Sequence, residues 1–496
     1  MNLAMSQGAL WRLVGLTTLT VSSYASMVLL AREFGPGVYG VYGIVYAVLM
    51  SIEMMLRFGL PQAVTRSLGA NSADSNRSGA HGFVLLVGAN TVAFGILWMA
   101  APFLAGFLNI ENGTRFMRIA LIDLPFYGAY AVLNAMLAGR FNFKWNCIAT
   151  CVYGLSRLAG MVALAVSGTL TIEAALIVNV MASVCGCLVA ALRLRASWFR
   201  PSASEMRQLI SAAIPIYMSE VGMVLLMSFD LWALSALAVG LGSEFKGLYV
   251  ASLSLARAPN MLGYVLASVL IPVLSRSLST RARQDAGRVV VDTNRLLVAI
   301  LLPACGVAGA NSADLLELLY SSAYRGGAEV MPLLLLGHGL LATILLTLIA
   351  MLVAAGRSAN GASRVVMGLI IAAVSSIYLV PRLSWHGAAI VPVLAFGFAT
   401  VMVAREVKKC FGVLLDPVDF LKTLAFTLLF GVASYLWQAT GVWLVVELAI
   451  ISAAYFGIAV KAGLFRLKSD RLARDEPDSG RGPEPSSGTL FRGMEN

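Results

Sequence analysis

The sequence is poor in charge for its length. Only 12% of its 496 residues are Asp, Glu, Lys or Arg, whereas a soluble domain carries about 25%. The mean hydropathy is +0.82, and apolar runs of about 20 residues, the length that crosses a hydrocarbon layer, recur from one end to the other. We therefore expect the chain to be divided into membrane spans rather than soluble domains.

Motifs that mark soluble enzymes are also missing. The sequence has no GxxxxGK[ST] pattern of an ATP-hydrolysing P-loop, and no HExxH or GxSxG pattern. Its three histidines are scattered, and its six cysteines show no metal-binding spacing. We expect no enzyme activity, no catalytic residue, no metal and no cofactor. Energy for any transport would come from an H⁺ or Na⁺ gradient, the substrate gradient or a partner.

Fourteen spans are predicted. They cover roughly residues 10–31, 38–56, 82–105, 116–137, 147–167, 173–192, 209–238, 247–273, 289–310, 328–352, 364–381, 387–404, 421–440 and 442–460. Backbone groups in lipid must be hydrogen-bonded within their own segment, so each span is expected to be an α-helix. The predicted fold class is an all-α polytopic membrane protein.

Lys and Arg lie mainly on one side of these spans. With the N-terminus in the cytoplasm, the cytoplasmic loops and C-terminal tail hold 26 of the 36 basic residues and the opposite side holds 5. Basic loops stay in the cytoplasm, so both termini are predicted to be cytoplasmic. The formal net charge of +11 has the same explanation, and no nucleic-acid partner is expected.

An internal repeat organises the spans. Three residues near the start of each copy match at one constant offset, namely Gly35, Gly40 and Tyr42 with Gly242, Gly247 and Tyr249. Six spans separate the copies, so both have the same orientation. This is a parallel repeat about an axis along the membrane normal, an architecture found in transporters.

The repeat predicts two six-helix lobes plus two C-terminal helices. Residues 1–192 form the N-lobe (spans 1–6) and residues 209–404 the C-lobe (spans 7–12), joined by a cytoplasmic linker at 193–208. Residues 405–461 hold spans 13 and 14 with the preceding cytoplasmic loop. The polar residues 462–496 are predicted to be a disordered cytoplasmic tail.

Ionisable side chains within the spans are the candidate functional groups. An Arg or Asp costs at least about 2.5–3.5 kcal/mol at the bilayer centre, so it usually faces a cavity or a partner. Arginine stays protonated and forms bidentate bonds to phosphate. A cationic substrate-binding cavity is therefore predicted from Arg32, Arg57, Arg157 and Arg257.

Four carboxylates are candidates for ion coupling or for paired contacts, namely Glu53, Asp123, Glu220 and Asp230. Structural alternatives stay open for several of these groups. Glu53 and Arg57 have the i, i+4 spacing of a helical ion pair, and Asp123 lies beside Pro125. The partner of Arg257 is expected to be Asp230 or Glu220.

Two stretches resemble polysaccharide flippases of the Wzx type. LLAREFGPGVYGVYG at residues 29–43 is similar to the end of their first span and its loop. SFDLWALSALAVGLGSEFKGLYVASLSLAR at 228–257 is similar to their seventh and eighth spans, and Phe58-Gly59-Leu60 with Pro61 and Arg66 to the end of their second.

The resemblance implies a superfamily that includes multidrug exporters and lipid II flippases, with two six-helix lobes working by alternating access around a central cavity. It implies a polyprenyl-diphosphate-linked oligosaccharide as substrate, flipped across a bacterial inner membrane for exopolysaccharide, lipopolysaccharide O-antigen or capsule. A polysaccharide polymerase and a chain-length regulator are the partners it implies.

Other functions remain open. A lipid II flippase or a multidrug/cation antiporter would have the same fold. A membrane-embedded polysaccharide polymerase or ligase is disfavoured, because the longest external loop, residues 311–329, is too short for a separate catalytic region.

Overall fold

The computed structural model describes residues 3–57, 59–69, 75–110, 112–194, 202–279, 283–437 and 439–465. Seventeen α-helices form this part of the chain. They are α1 (Leu3–Leu56), α2 (Leu60–Gly69), α3 (Ser75–Phe107), α4 (Gly113–Leu121), α5 (Asp123–Gly139), α6 (Phe143–Val166), α7 (Ile172–Ala191), α8 (Ala203–Leu237), α9 (Ser243–Ala256), α10 (Asn260–Ser279), α11 (Arg283–Ala310), α12 (Ser312–Leu319), α13 (Met331–Leu334), α14 (Ala342–Ala354), α15 (Ser358–Phe411), α16 (Pro417–Trp437) and α17 (Val442–Lys461). A 3₁₀ helix (Ser322–Glu329) precedes α13, and a π-helical segment (Leu335–Leu341) joins α13 to α14.

Helices lie at every predicted span. Among the described residues, eleven helical segments are long and apolar enough to cross a membrane. Two of them, α1 and α15, are 54 residues long and are each broken at one residue, Gly35 (φ 67°) and Ser384 (φ 52°). Each of these therefore corresponds to two predicted spans. The all-α polytopic membrane fold is confirmed.

The predicted span 247–273 is interrupted in the structure. Helix α9 ends at Ala256 and α10 begins at Asn260, with Pro259 between them. Proline has no backbone N–H and disfavours the helical conformation of the residue before it. The break leaves Arg257 at the C-terminal end of α9.

The polar segments differ in part from the sequence-based expectation. Helix α8 begins at Ala203, so the last six residues of the predicted linker are helical. Glu205 in the first turn of α8 lies 3.1 Å from His81. A negative charge in the first turn also interacts favourably with the helix dipole. Residues 195–201 of the linker and 466–496 of the predicted tail lie outside the described part of the chain.

Helices α1 and α9, one from each predicted lobe, lie in close contact where repeat-matched glycines cross. A Cβ on Gly40 would lie 2.3 Å from the Ser243 carbonyl oxygen, and a Cβ on Gly247 would lie 1.8 Å from the Pro36 carbonyl oxygen. Pro36 and Ser243 are separated by the same offset as Gly40 and Gly247. Reciprocal contacts of this kind are those expected when two copies are related by a twofold axis between α1 and α9.

Buried tyrosines surround this crossing. Tyr39 packs against Tyr320 and Tyr324, with ring centroids 6.4 and 6.1 Å apart, and the Tyr324 hydroxyl donates to the Ala31 carbonyl at 2.8 Å. The 3₁₀ helix thus folds the predicted external loop onto the lobe contact. We call Gly40, Gly247, Tyr39, Tyr320 and Tyr324 the lobe-contact cluster.

The two C-terminal helices are held to α11 by buried polar contacts. Near the predicted external end, the Asn311 amide donates to Ser434 Oγ at 2.6 Å, and Ser434 donates to the buried Glu447 carboxylate at 2.5 Å. Near the other end, Arg295 Nη1 lies 3.6 Å from Asp419 Oδ2. The buried carboxylates Asp419 and Glu447 of this hairpin therefore each have a partner.

The glycine crossing predicts that one added methyl group lowers the stability of the protein at this position. We expect Gly247→Ala to lower the thermal unfolding midpoint of the detergent-purified protein by several degrees, because the added Cβ overpacks against backbone at a cost of about 1–3 kcal/mol. Gly95→Ala in α3 is the control, since a Cβ there meets nothing within 4 Å. Equal midpoints for Gly247→Ala and the wild type would show that the crossing is not close-packed.

Candidate functional site, a cavity between the lobes

A cavity of about 600 Å³ lies between the two lobes. Helices α1, α8, α9, α10 and α14 supply its wall. Six methionines and five tyrosines contribute to the lining: Met27, Met50, Met54, Met223, Met227 and Met261, with Tyr24, Tyr39, Tyr42, Tyr46 and Tyr264. Methionine side chains are flexible and polarisable, so such a wall can adapt to ligands of different shape.

Three side chains of the Asp, Glu, Lys, Arg or His type lie in the described lining, namely Arg57, Glu220 and Arg257. Arg57 donates to the Tyr127 hydroxyl, and its guanidinium lies 5.1 Å from the centre of that ring. Glu220 accepts a hydrogen bond from Gln62 Nε2 at 2.7 Å. The two basic groups and one acidic group give the wall a net positive charge.

Arg257 connects the cavity with the interior of the C-lobe. It donates to the Met227 carbonyl oxygen, and its Nη2 lies 3.8 Å from Asp230 Oδ1. The Nε atoms of both Arg57 and Arg257 are buried and have no hydrogen-bond partner among the described residues. Buried donors are rarely left unpaired, and Arg157, which does not line the cavity, keeps an unpaired Nε and Nη2 as well.

Asp230 is fully enclosed behind the cavity wall. Its Oδ2 accepts from the Tyr249 hydroxyl at 2.7 Å and lies 3.1 Å from His338 Nε2. Of the partners expected for Arg257, the structure therefore brings Asp230 within ion-pair distance. Glu220 lines the cavity separately.

The second arginine cluster lies inside the N-lobe. Arg157 is 3% exposed, donates to the Tyr46 hydroxyl at 2.7 Å, and stacks 4.7 Å from that ring. Tyr46 lines the cavity, whereas Arg157 is not part of the lining. The carboxyl groups of Glu53 and Asp123 lie close together in this region, and both residues are buried.

The N-lobe cluster is constrained by charge. Two adjacent carboxylates in a low-dielectric environment do not both ionise. One proton shared by Glu53 and Asp123 would leave a single negative charge near the positive charges of Arg57 and Arg157.

Arg32 lies outside the cavity. Its Nε and Nη2 donate to the carbonyl oxygens of Leu319 and Leu318 at 2.8 and 2.6 Å. These are terminal carbonyls of α12, which lack helical partners and attract a cation. The structure therefore brings Arg57 and Arg257 to one cavity and places Arg32 and Arg157 elsewhere.

Two features of the site were missed at the sequence level. His338 was counted only as a scattered histidine, although it interrupts a long apolar run as LLLLGHGLL. The 21 methionines gave no positional signal, because hydropathy alone does not distinguish a cavity-facing side from a lipid-facing one.

A sequence profile described as polysaccharide biosynthesis protein matches residues 6–278, which is more than half of the chain. The chain belongs to this family. The resemblance to polysaccharide flippases drawn from its motifs is thereby confirmed. No curated protein matches the sequence.

Solved structures share its fold. The lipid II flippase MurJ in an inward closed conformation superposes with a TM-score of 0.75 at 14% identity, over 94% of this chain and 100% of that chain. An inward-facing multidrug resistance MATE family transporter of the MOP superfamily gives 0.61 at 15%, over 86% and 99%. A MOP superfamily transporter from Pyrococcus furiosus, described as having a binding pocket of reverse polarity, gives 0.57 at 13%, over 86% and 95%.

The N-lobe cluster predicts a strong energetic coupling. Arg157→Gln is expected to destabilise the protein by about 3–5 kcal/mol, because it leaves a buried negative charge without its cation. Adding Asp123→Asn, which removes that charge, should recover much of the loss. Chemical unfolding of the two single variants and the double variant measures the coupling. Strictly additive effects would show that the two groups do not share one electrostatic environment.

Proposed function

We propose that the protein is a transporter that flips a polyprenyl-diphosphate-linked oligosaccharide from the cytoplasmic to the periplasmic leaflet of a bacterial inner membrane. It would work by alternating access of its two lobes, in exopolysaccharide, O-antigen or capsule biosynthesis. The observation that carries the proposal is the cavity holding Arg57 and Arg257 in a member of a polysaccharide biosynthesis family.

The arginines of the cavity fit a diphosphate. Guanidinium groups form paired hydrogen bonds to phosphate oxygens, and these bonds are stronger where water is excluded. Both side chains keep a buried N–H group without a partner in the described part of the chain. In this proposal Arg57 and Arg257 bind the diphosphate. Arg157 positions Tyr46, and Arg32 stabilises the lobe-contact cluster.

The remaining lining fits the sugar. A volume of about 600 Å³ is within the usual 300–1,000 Å³ range of small-molecule sites. Tyrosine and serine hydroxyls supply hydrogen bonds, and the methionines tolerate variation in shape. The buried carboxylates Glu53, Asp123 and Asp230 are proposed as groups that couple transport to H⁺ or Na⁺.

A lipid II flippase is the second candidate, favoured by the high TM-score to MurJ. Its substrate chemistry would use the same arginines. A cation antiporter is less favoured, because the wall has two arginines against one carboxylate. Its net positive charge repels a cationic drug. A polymerase or ligase is disfavoured since the charged residues of the 311–329 segment are paired, Arg325 with Asp314 and Glu317 and Glu329 with His386.

Complementation tests the function. In a bacterium lacking its own polysaccharide flippase, we expect the wild-type protein to restore surface polymer, and Arg57→Gln and Arg257→Gln to reduce it at least about tenfold at matched membrane levels. Losing a charged hydrogen bond to the ligand costs about 1.5–3 kcal/mol, which gives a loss of this size.

Arg382→Gln is the matched control, because Arg382 is exposed and bonds to the Tyr378 carbonyl within its own helix. It should leave polymer at the wild-type level. Full activity of both cavity variants would remove the arginines from the proposed site while leaving the function intact. Failure of the wild-type protein would argue against the substrate class.

A drug-accumulation assay separates the antiporter alternative. We expect cells that express the protein to retain a cationic dye such as ethidium as strongly as cells with empty vector, since the cavity wall is net positive. Lower dye accumulation that is abolished by Glu220→Gln would favour cation antiport.

A further inference from the structure

A buried acid–base pair in the C-lobe lies next to the cavity, behind Arg257. The His338 and Asp230 side chains are 0% and 1% exposed, with Nε2 and Oδ2 3.1 Å apart. The His338 ring packs edge-on to Phe396, with centroids 5.3 Å apart. Its Nδ1 is buried and has no hydrogen-bond partner in the described part of the chain.

The backbone that carries His338 is irregular. The residue lies in the π-helical segment between glycines 337 and 339, and π-helical turns inside longer helices are frequent at functional sites. The titratable and charged groups that face the pair come from three helices. Helix α8 supplies Asp230 itself, and α9 supplies Tyr249 and Arg257. On the α11 side, Cys305 Sγ packs beside Gly339.

Charge balance restricts the protonation of this cluster. Burying an uncompensated charge is costly. With Arg257 at 3.8 Å, an ionised Asp230 is already compensated, and His338 is neutral. If Arg257 is drawn away, the same neutrality is recovered when His338 takes up one proton and forms an ion pair with Asp230.

Arg257 is placed to make this exchange. Its side chain is 28% exposed and lines the cavity, whereas Asp230 and His338 are enclosed behind it. An anion in the cavity therefore competes with Asp230 for one guanidinium group.

We propose that His338 and Asp230 form a proton-binding site that fills when Arg257 turns from Asp230 to an anionic ligand in the cavity. The inference rests on the proposed function for the nature of that ligand. Because one proton is taken up with the anion, affinity for the anion rises as pH falls, by up to about tenfold per pH unit.

The link between Arg257 and His338 can be tested without a ligand. In detergent-purified protein labelled with ¹³C-histidine, the NMR signal of His338 is assigned by its loss in His338→Gln. In the wild type we expect it to stay neutral between about pH 6 and 8, around the ordinary histidine pKa. In Arg257→Gln it should be protonated over part of that range.

Two variants control this experiment. Arg257→Lys keeps the positive charge and should keep His338 neutral, and the exposed Arg382→Gln should leave the signal unchanged. Asp230→Asn in the Arg257→Gln background should return His338 to the neutral form. This double variant can also be measured if Arg257→Gln alone is unstable. The proposal is overturned if the His338 signal has the same pH dependence in the wild type and in Arg257→Gln.

Calorimetry tests the ligand-driven step. Farnesyl diphosphate is titrated into the purified protein in buffers of different ionisation enthalpy, which reports the protons taken up on binding. We expect His338→Gln to bind it with up to about one proton fewer than the wild type, and His386→Gln, a partly exposed histidine paired with Glu329, to match the wild type.

The outcomes separate the two proposals. Equal proton counts in the wild type and His338→Gln overturn the proton site while supporting diphosphate binding. Absence of binding to every protein overturns the diphosphate chemistry of the proposed function and the ligand-driven step with it, whereas the NMR titration still decides whether Arg257 controls His338.

Discussion

Hydrocarbon offers neither hydrogen bonds nor solvation to a charge, and this constraint shapes the whole molecule. Backbone groups are satisfied by helices, and the ionisable side chains of the interior occur in sets that balance their charges. Arg157 lies with Glu53 and Asp123 in the N-lobe, and Asp230 lies with Arg257 and His338 in the C-lobe. Glu447 is satisfied by Ser434 and a backbone N–H.

The hydrogen bonding is incomplete both in the cavity wall and in the N-lobe cluster. Arg57 and Arg257 retain buried N–H groups that no side chain in the described residues accepts, although each makes one strong contact elsewhere. Structural arginines such as Arg32 use their donors on backbone carbonyls. Arg157 also keeps an unpaired Nε and Nη2, so what separates Arg57 and Arg257 from it is their place in the cavity lining.

Sequence reasoning predicted the helical membrane spans because they depend on hydropathy, which acts locally, whereas the repeat stays a prediction. It also selected Arg57 and Arg257, since each is a charge in an apolar span. It did not separate them from Arg157, because depth within a span does not show which neighbouring helix a side chain meets. Tyr46, more than 100 positions away in sequence, decides that Arg157 lies behind the cavity wall. The helical end of the linker likewise makes a contact that is distant in sequence, between Glu205 and His81.

The repeat also shows that the cavity is symmetric in backbone but not in charge. The offset that relates Gly40 to Gly247 relates Met50 to Arg257, and both of these side chains line the cavity. Arg257 thus lies at the depth of Met50, and Met50 lies seven residues before Arg57, which is two helical turns or about 10 Å. For one diphosphate to bind both arginines, as proposed, their long side chains have to converge across that separation.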